Sequence, residues 1–157
     1  MKLLFKQRAF SWFDSYDVYN EQGETVFTVE GQLSWGKCLH ILSASGEHIG
    51  TVQQKVMTFL PRFELYACGE YLGSLTKEFS FLTPRFTLDC SDWEVEGSFM
   101  EWEYTIQSPT RGPVAVISKE IFNWTDTYVI EVDDPQNALC ALMVVLAIDA
   151  EKDSRSN

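Results

Sequence analysis

Residues 138–148, Ala-Leu-Cys-Ala-Leu-Met-Val-Val-Leu-Ala-Ile, form an unbroken apolar run of helix length without a polar face. A helix that is apolar all round has to be buried all round. The run is well short of the roughly 20 residues that span a bilayer. The residues before it read as short strands, so a β-sheet is the expected wrapper. Asp133-Asp134-Pro135 supplies an acidic N-cap and a proline at the first turn, which starts the helix. Residues 151–157 read as a polar, frayed tail.

From Leu3 to Val132 the chain alternates apolar and polar residues in short β-branched and aromatic segments. Turn signals break them every 8–12 residues or so, the signature of an all-β barrel or sandwich. The clearest turns are Asn20-Glu-Gln-Gly23, Ala44-Ser-Gly46, Cys68-Gly69 and Thr110-Arg-Gly-Pro113. Alternation puts Tyr128, Ile130 and Val132 on one face of a strand, and Leu39 with Ile41 on one face of another. No helix is expected before residue 133.

A chain of 157 residues with 45% hydrophobic, 14% aromatic and 22% charged residues is an ordered single domain, spanning 1–157. Its net charge of -11 disfavours nucleic acid, because phosphate binding needs clustered Lys and Arg, and it disfavours an anionic membrane surface for the same reason. Cys38, Cys68, Cys90 and Cys140 lack CxxC spacing and read as reduced structural thiols. The opening Met-Lys-Leu-Leu-Phe-Lys-Gln-Arg breaks its apolar stretch after three residues, so no signal peptide is expected and the expected location is cytoplasmic. Asn123-Trp-Thr125 is then a chance glycosylation sequon.

An internal repeat accounts for much of the pattern. Val29-Glu30-Gly31 recurs as Val95-Glu96-Gly97, and Val56-Met-Thr-Phe59 aligns with Ile121-Phe-Asn-Trp124. Two similar β halves, roughly 14–66 and 79–132, would close into one barrel around a core helix at roughly 135–150 and leave no open edge. A second echo places Pro and Arg between strands, in Phe59-Leu-Pro-Arg-Phe63 and Phe81-Leu-Thr-Pro-Arg-Phe86. These read either as hairpin connections or as basic loops that offer Lys55, Arg62, Lys77 and Arg85 to a phosphate or lipid head group.

Catalytic signatures are sparse. Gly31-Gln-Leu-Ser-Trp-Gly36-Lys37-Cys38 has phosphate-loop spacing but ends in Cys, and it leads into an alternating strand rather than a helix. Cys38 and His40 share a strand face with His48 across the next turn, too few ligands for a structural zinc site. There is no Gly-x-Ser-x-Gly elbow, His-Glu-x-x-His pair or dinucleotide glycine pattern. Asp14, Asp17, Asp89, Asp92 and Asp126 fall mostly at predicted turns. Asp149 ends the apolar run, so it is expected at the barrel mouth, bonded to a strand end or a basic loop, or else functional.

Taken in order, Asp14-Ser-Tyr-Asp-Val-Tyr19, Val29-Glu-Gly31, Pro61-Arg-Phe63, Pro84-Arg-Phe86, Asp92-Trp-Glu-Val-Glu-Gly97, Phe122-Asn-Trp-Thr-Asp-Thr-Tyr128 and Asp133-Asp-Pro135…Ala138-Leu…Ala147-Ile-Asp149 resemble a bacterial member of the LURP-one-related family. The resemblance covers nearly the whole chain. It implies a tubby-like fold: mainly β, a closed antiparallel barrel of about twelve strands around a central hydrophobic C-terminal α-helix. It carries over no catalytic residue and no ligand set. Tubby proteins, similar in that fold, bind phosphoinositides, and phospholipid scramblases are thought to share it.

These readings lead to a non-enzymatic cytoplasmic binding or scaffold protein that engages an unidentified protein or lipid partner. No cofactor, metal, nucleic acid or transmembrane segment is expected, and the sequence leaves the oligomeric state open. Two alternatives stand beside it: peripheral binding of phospholipid or phosphoinositide head groups through Lys55, Arg62, Lys77 and Arg85, and a hydrolase whose site leaves no sequence signature.

Overall fold

A computed structural model describes residues 1–6, 15–78, 85–122 and 125–156. Asp14, the segment 79–84 with Pro84, and residues 123–124 of the sequon lie outside the described residues, and with them parts of several quoted motifs.

Twelve antiparallel strands close on themselves in chain order. They are β1 (Lys2–Lys6), β2 (Ser15–Tyr19), β3 (Thr25–Gln32), β4 (Cys38–Ser43), β5 (His48–Gln54), β6 (Arg62–Ala67), β7 (Glu70–Glu78), β8 (Arg85–Leu88), β9 (Glu94–Ser98), β10 (Glu103–Ser108), β11 (Gly112–Phe122) and β12 (Thr125–Val132). The seam is β1 on β12, from Lys2 opposite Glu131 to Lys6 opposite Thr127. Closure pairs the backbone groups that an open sheet would leave at its edges. Val29-Glu30-Gly31 lies on β3 and Val95-Glu96-Gly97 on β9, six strands on.

The helix α1 (Ala138–Ser156) fills the barrel. Asp134 accepts from Gln136 N–H at 3.0 Å, Pro135 opens a single 3₁₀ turn, and the helix follows. Every residue from Ala141 to Ile148 is at most 1% exposed. Their partners are the inward rows of the strands, among them Val29, Ile41, Leu65, Val95, Ile106 and Ile130. Each fully buried aliphatic side chain contributes about 1.5–3 kcal/mol by leaving water. A helix inside a tube needs close backbone approach somewhere, and Gly50 of β5 supplies it: a Cβ there would meet Leu139 and the Met143 sulfur at 3.4 Å.

In place of a frayed tail, the helix runs on to Ser156. The added turns have partners: the Ser154 hydroxyl donates to the Ala150 carbonyl at 3.0 Å, and Glu151 and Lys152 are held by the barrel.

An up-and-down barrel sends its connections alternately to two ends. The base is where α1 starts, beside Val132, and it gathers 20–24, 44–47, 68–69, 89–93, 109–111 and 133–137. At the other end, the mouth, α1 emerges among 33–37, 55–61 and 99–102.

Candidate functional site

The mouth is built from two braced loops and the end of α1. Gln54 N–H donates to the Lys37 carbonyl at 2.8 Å, and the Gln54 side-chain oxygen accepts from Lys37 N–H at 3.0 Å. Gln53 Nε2 reaches the Trp35 carbonyl at 3.3 Å, so β5 holds the 33–37 loop against its own extension. Gly36 makes that contact possible. Its φ of +80° suits glycine, and a Cβ would lie 2.9 Å from Val56 Cγ1. The 55–61 loop is closed at its root by Lys55 N–H donating to the Arg62 carbonyl at 2.9 Å.

α1 is tied to this frame by lysines. Lys37 Nζ donates to the Ala150 carbonyl at 2.8 Å, six residues before the end of α1. Lys77 pairs with Glu151 at 3.5 Å, both side chains largely buried. Lys152 Nζ donates to the Met100 carbonyl at 3.0 Å and lies 4.7 Å from the centroid of the Trp102 ring. Between the 55–61 loop and α1 runs a groove of about 440 Å³, walled by Val56, Met57, Phe59 and Pro61, with Glu151 and Ser154 on the helix side.

The loop tips are apolar and point away from the protein. Trp35 is 88% exposed, Phe59 98% and Met57 fully. Met57 sits in the left-handed region at φ +61°, unusual for a side chain of its size. Leu33, Met100 and Ile121, the last at the mouth end of β11, complete the set. Among the described residues, these six are the large apolar side chains more than 60% exposed.

The base is the opposite in character. Its connections carry Glu21, Glu24, Glu47, Asp89, Asp92, Asp133 and Asp134 against Arg111 alone, whereas the described mouth loops carry Lys37 and Lys55 against Glu101. Of the basic side chains described, only Lys2 and Arg111 belong to the base half of the barrel.

Just inside the mouth, Asp149 lies with Trp102, Tyr104 and Tyr128, each of these three only 2% exposed. Trp102 Nε1 and the two tyrosine hydroxyls have no hydrogen-bond partner, and the Trp102 and Tyr128 rings are 3.8 Å apart. Burial pushes the Asp149 carboxyl up to about 7; Asp153 adds to the rise, and Lys152 and Lys37 oppose it. Burial likewise raises the tyrosine hydroxyls and lowers the Lys37 and Lys152 ammoniums. Asp149 is therefore at the mouth beside basic side chains, as the sequence led one to expect.

The four basic residues singled out in the sequence all lie in the mouth half, each with an acceptor. Lys55 faces Glu64 at 3.7 Å, Lys77 faces Glu151, and Arg85 pairs with Glu96. Arg62 donates from Nε and Nη2 to the Ser74 hydroxyl at 3.0 and 2.9 Å. The sequence also singled out His40 and His48. Their rings stack at 4.2 Å, and burial followed by His48 holds the His40 pKa down. No group of three potential metal ligands occurs among the described residues. Burial pushes the Cys38 and Cys90 thiols up, and that of Cys140 up to about 12. No helix of the described residues is long and apolar enough to cross a membrane. The exposed Leu33, Trp35, Met57 and Met100 were not anticipated; the signal available was a large apolar residue inside a turn.

The class so defined is a closed twelve-stranded antiparallel barrel wrapped around its own C-terminal helix, with loops gathered at the helix exit. The family model for LURP-one-related proteins matches residues 1–149, and the chain belongs to that family. A search of curated proteins found no match.

Proposed function

We propose that the protein is a non-enzymatic, cytoplasmic binding or scaffold protein and that the mouth of the barrel is its recognition surface. One observation carries the reading: the strongly exposed large apolar side chains collect at one end, on loops seated on a rigid tube. The high thiol pKa values support a binding role over nucleophilic chemistry. The test is site-specific photocrosslinking in cells. A photoreactive residue at position 35 or 59 should give adducts, whereas one at position 22 or 45, in the basal turns, should not. Equal labelling at both ends would refute the assignment.

A second reading, drawn from the tubby-like relationship, is peripheral binding of phospholipid or phosphoinositide head groups through Lys55, Arg62, Lys77 and Arg85. The placement of all four in the mouth half favours it. The exposed pairs Lys55–Glu64 and Arg85–Glu96 are weak enough to exchange partners. Such binding would be electrostatic and would weaken steeply with salt.

A further inference from the structure

The layering along the barrel axis points to one kind of partner for the mouth. Outermost stand apolar tips on separate loops: Leu33 and Trp35, Met57 and Phe59, and Met100. They project into solvent, and Met57 and Phe59 also form one wall of the groove of about 440 Å³. One layer down come basic side chains set against acceptors: Lys55 with Glu64, Lys77 with Glu151, Arg85 with Glu96, and Lys37 and Lys152 on backbone carbonyls. The connections at the far end of the tube carry acids against Arg111 alone.

We infer that the mouth docks on a lipid bilayer by inserting its loop tips into the interfacial region. Trp, Phe, Leu and Met are the side chains that favour the boundary between head groups and acyl chains. Just behind them Lys55 and Arg85, the more exposed of the basic side chains there, sit at the level of the lipid phosphates. The same layering keeps the acidic base in water, away from an anionic leaflet. A protein partner calls for a different pattern, an apolar centre enclosed by a polar rim in one plane. Here the apolar tips stand ahead of a layer of paired charges, and the far half of the barrel holds just two of the described basic residues, Lys2 and Arg111.

The inference rests on the reading of the mouth as the recognition surface, and it differs from head-group recognition in its driving force. Apolar insertion needs no anionic lipid and survives high salt. Electrostatic capture by a chain of net charge -11 survives neither neutral lipid nor salt.

The experiment is flotation of the full chain with phosphatidylcholine vesicles, and with vesicles containing phosphatidylserine, at low and high salt. Flotation with both compositions at both salt concentrations is expected. Trp35→Ser or Phe59→Ser should each lower the partition coefficient about tenfold or more, the loss of one well-buried apolar side chain. Leu72→Ser, at an exposed apolar position in the base half, should leave it unchanged. All three positions are exposed in the free protein, and matching thermal unfolding of variants and parent verifies the fold. Failure of the parent to float with either vesicle overturns the inference. So does flotation only with phosphatidylserine at low salt, unaffected by Trp35→Ser and Phe59→Ser. If the crosslinker at position 35 captures protein while vesicles capture nothing, the mouth remains the recognition surface and the bilayer is excluded as its partner.

Discussion

Replacing Asp149 by Asn should make the protein more stable, and by an amount that grows with pH. The carboxyl titrates at 3.8 in an ordinary environment and at about 7 inside the barrel mouth, where burial disfavours its charge. Asp153 disfavours the charge as well, Lys152 and Lys37 favour it, and the buried Tyr104 and Tyr128 rings stand beside it. Because the folded pKa is the higher one, folding takes up a proton between pH 3.8 and about 7, so stability falls as pH rises through that window and levels off above it. The shift of about 3 units corresponds to about 4 kcal/mol above pH 7, an upper limit because Asp149 keeps some contact with water. Asn removes the titration and leaves the shape. Urea denaturation of both proteins from pH 5 to 8 reads the difference. The gain of the variant over the parent should widen by about 2.5 kcal/mol across that range, as the parent passes from mostly protonated to ionised. Parallel curves, or a variant that loses ground at high pH, would refute the argument by showing that the folded protein stabilises the Asp149 charge.

Further outcomes follow from the helix and its ties to the barrel. Leu142→Ala should cost about 2–5 kcal/mol in urea denaturation, and Leu142→Asp should abolish cooperative folding, since Leu142 is 0% exposed and a charge there has no partner. Lys77→Met should cost about 1–3 kcal/mol by removing the largely buried ion pair to Glu151; adding Glu151→Leu should recover part of that loss, measured in the same assay. Gly36→Ala should cost about 1–2 kcal/mol, because the left-handed backbone and the Val56 contact both reject a Cβ; an unchanged melting temperature would count against the loop bracing. With a thiol reagent at pH 8, Cys140 should stay unreactive until the protein unfolds, while the exposed Cys68 reacts in the native state.

The architecture was legible where a single physical demand fixed the answer. An apolar stretch with no polar face has to be enclosed, and only a closed sheet can enclose one helix and keep every strand paired. Asp134 and Pro135 fixed where the helix starts through local capping chemistry, which needs no knowledge of the fold. The helix end was misread because Glu151, Lys152 and Ser154 look like tail residues until Lys77 and the Met100 carbonyl are brought to them. Those contacts span 74 and 52 positions in sequence and have no local signature. Trp102, Tyr104 and Tyr128 read simply as strand aromatics, because what makes them unusual is the lack of a partner for their polar atoms.

The recognition surface was hidden for a different reason. Turn chemistry marks where a strand stops and is blind to which end of the barrel it stops at. The missing signal is parity. In an up-and-down barrel alternate connections share an end, and here Leu33-Ser-Trp35 and Val56-Met-Thr-Phe59 belong to one set while Asn20-Glu-Gln-Gly23, Ala44-Ser-Gly46-Glu47 and Asp133-Asp134 belong to the other. An apolar tip on one turn is an accident that any soluble protein tolerates. The same tip recurring on the mouth set, with acids on the base set, gives the barrel two chemically different ends. Nothing in the packing of the core requires that difference, because Leu33, Trp35, Met57 and Phe59 lie outside it. A polarity that folding does not need is best explained by what the mouth meets.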